Sequence, residues 1–181
     1  MFLRFITYIL LLLVTSVSCT SCTPDSHNNN SKSGNNTSKA KKESLITANR
    51  YMVNTETKEI NNYINRHKLN VIETGSGLKY QIYKQGSGEK AAKGKIALLN
   101  YKVKLITGDV IYSSDENGPK EFMIGYGDVE SGLEEAILNM RVGDEAIIII
   151  PSHLAFGLLG DNNKIPQRST VIYEIEFTNI K

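Results

Sequence analysis

The sequence has few of the residues on which most catalytic and metal sites depend. Its 181 residues include no tryptophan, two cysteines, three histidines and four prolines. The histidines, His27, His67 and His153, do not have the spacing of metal ligands, so we expect neither a metal nor another cofactor. No serine stands in a nucleophile elbow and no cysteine follows Cys22, which leaves no nucleophile for serine or thiol catalysis and no disulfide in the rest of the sequence.

The chain also lacks a strong excess of charge of either sign. The formal net charge is +2, from 21 basic and 19 acidic side chains. Because no broad basic field would attract phosphates, nucleic acid is not an expected partner.

The first residues have the pattern of an export signal. Arg4 supplies a positive charge, an apolar run follows, and small residues come next. Because cysteines follow directly, residues 1–18 resemble a bacterial lipoprotein signal peptide, with Cys19 as the lipidated residue and Cys22 as the alternative. Secretion without a lipid is a second interpretation. The two cysteines also have the spacing of a redox pair, although no βα unit adjoins them.

The signal predicts a lipid-anchored protein of the cell envelope that faces the periplasm, with the inner or outer membrane left open. Residues 19–44 are rich in Asn, Ser, Thr and Lys and predict a flexible tether, because they cannot bury enough apolar surface to offset the entropy of ordering. Residues 45–76 predict a helical extension, since apolar side chains recur there at three- and four-residue steps, as at Val53, Ile60 and Ile64.

Residues 77–181 have the alternation of antiparallel strands. Every second residue is apolar from Ala97 to Leu105 and again from Val171 to Phe177. A short amphipathic helix is predicted from Ser131, which precedes a glutamate by three residues as in a capping box. One helix against an antiparallel sheet is an α+β domain.

The segment from residue 140 to residue 157 contains the most hydrophobic strand. The run from Ala146 to Ile150 is apolar throughout and predicts a buried strand. Pro151 cannot donate a hydrogen bond to a sheet, so the strand ends there and a loop that includes Phe156 projects from the rim.

Four segments together resemble the FKBP-type peptidyl-prolyl cis-trans isomerases. They are LLNYKVKLITGDVIYSS, EFMIGYGDVESGLEEAILNM, RVGDEAIIIIPSHLAFG and IPQRSTVIYEIEF, in the order and spacing of that family. The resemblance implies an α+β fold in which a twisted antiparallel sheet wraps around a short helix, here preceded by an N-terminal helix. The leading helix and the lipoprotein signal are most similar to bacterial membrane-anchored members, and among these to the gliding-motility-associated lipoproteins of Bacteroidetes.

The resemblance implies rotation about X–Pro bonds as the activity. This rotation has a barrier of about 20 kcal/mol, breaks no covalent bond and requires no cofactor. Proline-containing polypeptides are the expected partners, and the expected roles are the folding of exported proteins and support of gliding motility. Other proteins of the envelope are further expected partners.

Carried over residue by residue, the resemblance implies a proline pocket with aromatic and apolar walls. Ile165 lies in the loop that covers it, and the backbone N–H of Glu130 is expected to bond a substrate carbonyl, which would make the glutamate side chain less important. The eight residues of this predicted proline pocket are Tyr101, Phe122, Val129, Glu130, Leu133, Phe156, Ile165 and Tyr173.

Several positions depart from the family pattern. Leu133 replaces the usual tryptophan floor, Phe156 the usual tyrosine, Tyr112 an aspartate, Ile111 a phenylalanine and Lys120 a further aromatic residue. These departures leave two hypotheses open. The chain is an active isomerase of exported proteins, or it is a weakly active FKBP-like binding module or chaperone of an envelope assembly. Judged from alternation alone, aromatic residues of the predicted pocket could instead be ordinary core.

Overall fold

The computed structural model describes residues 33–181, with side-chain burial given from residue 38 onward. The predicted signal peptide, the lipidation candidates Cys19 and Cys22, and their redox alternative lie outside these residues. Within the described part of the chain, no helix is long and apolar enough to cross a membrane.

The first element is a long helix, α1, which spans Ser33–His67. It begins well before residue 45, so the last part of the segment predicted as a flexible tether is helical. Lysine, alanine and glutamate around residue 40 favour a helix locally even where no core is buried, so a polar composition alone does not exclude a helix. The helix ends where Lys68 adopts a positive φ of 54°, and the backbone N–H of Leu69 donates to the Ile64 carbonyl at 3.0 Å, as in a Schellman motif.

Residues 44–181 form one compact unit, in which seven strands make a single antiparallel sheet. The strands are β1 Ile72–Glu73, β2 Lys79–Lys84, β3 Ile96–Leu105, β4 Val110–Ser113, β5 Lys120–Met123, β6 Glu145–Ile150 and β7 Val171–Ile180. Two short helices interrupt them, α2 Ser114–Asn117 and α3 Ser131–Ile137, and a 3₁₀ turn spans Ser152–Leu154. The predicted α+β fold with a leading helix is confirmed.

The order of the strands across the sheet is β1-β2-β6-β7-β3-β4, and β5 pairs with β3 on the edge of β3 opposite β7. Strand β3 is central to this arrangement because it pairs with β4, β5 and β7. The hairpin from β3 to β4 turns at residues 106–109, and Gly108 takes a φ of 101° that only glycine adopts readily. This arrangement places three strands around the predicted proline pocket.

Helix α3 packs on one face of the sheet over the main hydrophobic core. Its residues Gly132, Leu133, Ala136 and Ile137 are buried. The helix begins at Ser131 as predicted, but its N-cap residue is Glu130, and no side chain caps it. Glu134 instead accepts hydrogen bonds from the backbone N–H groups of Gly125 and Gly127, at 3.2 and 2.9 Å, so the expected capping box does not form.

Helix α1 covers the opposite face. Its Ile60 and Tyr63 form a second buried cluster with Ile147, Ile149 and Ile172. Residues 146, 148 and 150 of β6 belong to the main core, whereas 147 and 149 belong to this second cluster. Because alternate side chains of a strand point to opposite faces, coverage on both faces explains the continuous apolar run in β6.

Candidate active site

The fold brings the predicted pocket residues together around one end of α3. Tyr101 lies on β3, Phe122 on β5 and Tyr173 on β7, and these strands are neighbours in the sheet. Leu133 comes from α3, and Ile165 comes from the loop before β7. All five side chains belong to the main core cluster, and Val129 and Phe156 pack against it.

Most of these side chains are buried deeply. The exposed fraction is 9% for Tyr101, 4% for Phe122, 0% for Leu133, 3% for Ile165 and 1% for Tyr173. Val129 and Phe156 are only half-buried, and the Glu130 side chain is 9% exposed. Leu133 and Tyr173 therefore serve as core residues whatever else they do, and the accessible surface of the site comes mainly from the half-buried members.

The two tyrosines face each other across the site. Their ring centroids are 6.4 Å apart and the ring planes are inclined by 40°. The ammonium of Lys120 lies over both rings, 5.7 Å from each centroid. A cation at this distance from two aromatic faces is attracted by both rings. Lys120, noted in the sequence only as a replaced aromatic residue, is thus part of the site.

Glu130 connects the lysine to the inner tyrosine. The Tyr173 hydroxyl donates to Glu130 Oε1 at 2.9 Å, and the Lys120 ammonium lies 3.8 Å from Oε2. Oε2 is buried and accepts no hydrogen bond from any residue of the described chain. A buried acceptor without a hydrogen bond costs about 1–3 kcal/mol. The side chain is therefore more involved in the site than the sequence led us to expect.

The environment of Tyr173 keeps its hydroxyl protonated. Burial raises the pKa of Tyr173 well above 10.0, and the charge of Glu130 and its hydrogen bond raise it further. A protonated hydroxyl remains a donor, so the bond to Glu130 persists throughout the neutral pH range.

The backbone of Glu130 lies at the start of helix α3. Its carbonyl accepts from the N–H groups of Leu133 and Glu134, at 2.9 and 3.1 Å, and so starts helix α3. Its own N–H has no hydrogen-bond partner among residues 33–181. This N–H is the group expected to bond a substrate carbonyl, and within residues 33–181 no acceptor competes for it.

A second cluster of polar side chains fixes the loop that contains Ile165. Asp161 Oδ1 accepts from the backbone N–H groups of Ile165 and Asn163, at 2.8 and 2.9 Å. The Tyr112 hydroxyl donates to the other Asp161 oxygen and thereby ties the loop to β4. This hydrogen bond raises the pKa of Tyr112. Burial tends to raise the pKa of Asp161, but hydrogen bonds from Tyr112, Ile165 and Asn163 lower it overall.

Asp161 was not identified from the sequence. A local signal was present, because an aspartate before Asn162, Asn163 and Lys164 favours a turn closed by its own side chain. The contact with Tyr112 spans 49 residues and follows only from the folded arrangement. Tyr112, which stands where the family has an aspartate, therefore has a polar partner supplied by another part of the chain.

Within residues 33–181, no group of three or more His, Cys, Asp or Glu side chains could hold a metal ion. The site instead offers aromatic and apolar surface, one unoccupied backbone donor and the Tyr173–Glu130–Lys120 contacts. Apolar contacts and a backbone donor are the interactions that a bound X–Pro segment would use.

The sequence of the domain matches a known family model. The model for FKBP-type peptidyl-prolyl cis-trans isomerase matches residues 87–178, which is about half of the chain and includes all eight residues of the predicted proline pocket. The expected FKBP-like fold has support from solved structures as well. The crystal structure of FkpA from Escherichia coli aligns with a TM-score of 0.63 at 26% identity, over 82% of this chain and 69% of that one.

Two curated proteins of this type are similar to the chain in sequence. FK506-binding protein 2 of Yarrowia lipolytica is 38% identical over 105 residues, which cover 58% of this chain and 73% of that protein. The probable FKBP-type peptidyl-prolyl cis-trans isomerase FkpA of Neisseria meningitidis is 36% identical over 117 residues. That match covers 64% of this chain and 42% of the Neisseria protein, so the chain spans less than half of that relative's length.

Proposed function

This chain belongs to the FKBP-type peptidyl-prolyl cis-trans isomerase family, and we propose that it catalyses rotation about X–Pro bonds in exported polypeptides. The observation that supports this most directly is the convergence of β3, β5, β7 and α3 on the predicted proline pocket. The Glu130 N–H, which has no hydrogen-bond partner within residues 33–181, adds a donor for a substrate carbonyl.

The pocket residues act by binding the twisted imide better than the planar one. Val129 and Phe156 offer accessible apolar surface, and they pack against the core cluster that contains the buried Tyr101 and Tyr173. An X–Pro bond rotates unaided in tens of seconds or more, and water favours the charge-separated planar form. A site that excludes water and holds the substrate carbonyl through the Glu130 N–H lowers the barrier without a covalent step.

A protease-free assay tests the activity. Exchange spectroscopy follows cis and trans signals of a Leu-Pro or Phe-Pro peptide with and without the purified protein. The proposal predicts exchange faster than that of the peptide alone. Exchange at the background rate, with the protein folded and the peptide in contact with it, would exclude turnover.

A second candidate function has specific support. Leu133 and Phe156 replace residues that contact ligands in the family, and the Lys120 ammonium lies over both pocket tyrosines. These features favour an FKBP-like domain that holds proline-containing segments of an envelope assembly with little turnover. Peptide binding in a titration, combined with background exchange, would identify this function.

For the cell, we propose attachment to a membrane of the envelope through Cys19, with the domain facing the periplasm. The support is the sequence of residues 1–18 and the cysteine that follows them. Labelling with a palmitate analogue compares the wild type with Cys19→Ser and Cys22→Ser. Label lost only in Cys19→Ser supports this site, label lost only in Cys22→Ser moves it, and no label in the wild type excludes the anchor.

The proposed cellular role is to assist folding of exported proteins and, as in the resemblance to Bacteroidetes lipoproteins, to support gliding motility. Proline isomerisation limits the folding of many chains, and a tethered catalyst meets them as they emerge at the membrane. Deletion of the gene in its own bacterium should reduce colony spreading. Restoration by the wild type but not by an isomerase-deficient variant would connect motility to the activity, and normal spreading of the deletion strain would contradict this role.

A further inference from the structure

Glu130 places a carboxylate in a pocket whose other predicted members are aromatic or apolar. The side chain is only 9% exposed. Oε1 is bonded to the Tyr173 hydroxyl at 2.9 Å, whereas Oε2 is buried and accepts no hydrogen bond within residues 33–181. Buried carboxylate oxygens in proteins normally accept hydrogen bonds, so Oε2 is an acceptor that a donor on a bound polypeptide can use.

The position of Lys120 indicates the charge of that donor. Its ammonium lies 3.8 Å from Glu130 Oε2, which is beyond a hydrogen bond, and 5.7 Å from the ring centroids of Tyr101 and Tyr173. A cation there is attracted by the carboxylate and by two aromatic faces. The lysine side chain is 27% exposed, so it can swing toward solvent and leave this position to another cation.

A guanidinium satisfies these groups better than an ammonium does. It is planar, it stacks on aromatic faces and it presents five N–H donors in fixed directions. The Lys120 ammonium attracts the carboxylate electrostatically but donates no hydrogen bond to it. A guanidinium between the tyrosine rings and Oε2 supplies both the positive charge and the hydrogen bond. An arginine side chain therefore suits this part of the pocket.

We propose that Glu130 determines specificity by accepting a hydrogen bond from an arginine side chain adjacent to the proline of the substrate. The arginine displaces the Lys120 ammonium, which moves to solvent. This inference rests on the proposed function, because the predicted proline pocket is where the polypeptide binds. It adds a preference for cationic sequences that a wholly apolar pocket would not have.

The experiment uses peptides matched in shape but not in charge. Two pairs carry arginine or its neutral analogue citrulline, directly before the proline in one pair and directly after it in the other. Dissociation constants are measured by NMR titration of the full domain, and exchange rates are measured in the same samples. We expect the arginine peptide to bind about tenfold tighter than the citrulline peptide at one of the two positions.

The variant Glu130→Gln should reduce this ratio to about one, because the amide keeps the shape of the side chain but loses its charge. Glu121→Gln is the matched control, since it removes an acidic charge from an exposed side chain on β5 that pairs with Lys181 at 3.4 Å. The control should keep the wild-type ratio. A wild-type ratio near one at both positions, or a ratio unchanged in Glu130→Gln, would overturn the inference.

The variant Lys120→Met protects the test against a Glu130 variant that does not fold. Removal of the competing ammonium should increase the preference for arginine, and a decrease would contradict the displacement step. The citrulline peptides report separately on the proposed function. If no peptide shows accelerated exchange but arginine peptides still bind tighter than citrulline peptides, the proposed isomerase activity is wrong and the proposed specificity is supported. If citrulline peptides show accelerated exchange but arginine and citrulline peptides bind equally, the activity is supported and the specificity is wrong.

Discussion

Tyr173 places a hydroxyl deep inside a hydrophobic cluster, and its surroundings define its chemistry. The side chain is 1% exposed, and its hydroxyl donates to Glu130 Oε1 at 2.9 Å. The pair of residues joins the core to the accessible edge of the predicted proline pocket. A phenylalanine at position 173 would fill the same volume but leave the carboxylate without its hydrogen bond.

The raised pKa of Tyr173 predicts a pH dependence of stability. An unfolded tyrosine ionises near pH 10, whereas burial holds the folded pKa well above that value. The folded state therefore binds the proton more tightly, so this contribution is fully present below about pH 10 and is lost as the pH rises through the folded pKa. Urea unfolding at neutral and alkaline pH should show a steeper loss for the wild type than for Tyr173→Phe. Parallel loss in both proteins would contradict this assignment.

Phe156 lacks the hydroxyl of a tyrosine, and we expect this single oxygen to affect kcat/KM. It packs half-buried against the core cluster, at a position where the resemblance implies a tyrosine that bonds the ligand. Because a net hydrogen bond contributes about 1 kcal/mol, Phe156→Tyr should raise kcat/KM by up to about fivefold. The control Tyr83→Phe changes an exposed hydroxyl on β2 and should leave kcat/KM unchanged. A decrease in kcat/KM for Phe156→Tyr would mean that the side chain does not face the substrate.

Among the elements, helix α3 lies unusually close to the sheet. A Cβ at Gly132 would stand 2.4 Å from Ile150 Cγ2 and 3.2 Å from Leu154 Cβ. Ile150 is fully buried and cannot move away. The glycine therefore sets the distance between α3 and β6, and with it the position of Glu130 and Leu133.

The variant Gly132→Ala tests this close packing. Alanine favours a helix, but the clash should dominate and lower the free energy of unfolding by about 1–3 kcal/mol. Gly75→Ala is the matched control, because a Cβ there meets nothing within 4 Å. Its effect should stay within about 0.5 kcal/mol. Equal urea midpoints for the two variants would show that α3 is free to shift.

Helix α1 is attached to the sheet by one carboxylate in addition to its apolar contacts. Glu56 accepts from the backbone N–H and the hydroxyl of Ser152, at 2.6 and 3.0 Å, and from the Thr170 hydroxyl at 2.8 Å. Both donor residues are buried. The helix thus contacts the segments that lead from β6 and into β7, which flank the loop containing Ile165.

Weakening this attachment should destabilise the domain. Glu56→Gln loses a charge that receives three hydrogen bonds, so the free energy of unfolding should fall by about 1–3 kcal/mol. Glu59→Gln changes an exposed carboxylate on the same helix and serves as the control. Urea unfolding followed by circular dichroism measures both. No difference between the variants would show that α1 is held by its apolar residues alone.

At the scale of the whole molecule, the alternation of apolar and polar side chains predicted β3 and β7. A period of two residues defines a strand that has one apolar face and one polar face. The apolar run in β6 predicted a buried strand, but its cause was not readable from the sequence. Coverage by α1 on one face and α3 on the other depends on contacts between distant parts of the chain.

The proximity of the predicted pocket residues could be inferred from the sequence where the backbone fixes it. Tyr101, Phe122 and Tyr173 lie on neighbouring strands, so the order of motifs was enough to bring them together. The contacts of Lys120 and Asp161 were not predictable, because a long side chain and a loop take positions that only tertiary packing determines. The positions of the polar groups within this apolar site could therefore be established only from the structure.

The most direct test of the account is exchange spectroscopy of a Phe-Pro peptide with two surface-directed variants. Val129→Arg places a long side chain at the half-buried edge of the predicted proline pocket, whereas Ile72→Arg changes an exposed residue on the edge strand β1. We expect accelerated exchange with the wild type and with Ile72→Arg, and a loss of at least about tenfold with folded Val129→Arg. Background exchange with the wild type, or full activity in Val129→Arg, would contradict it.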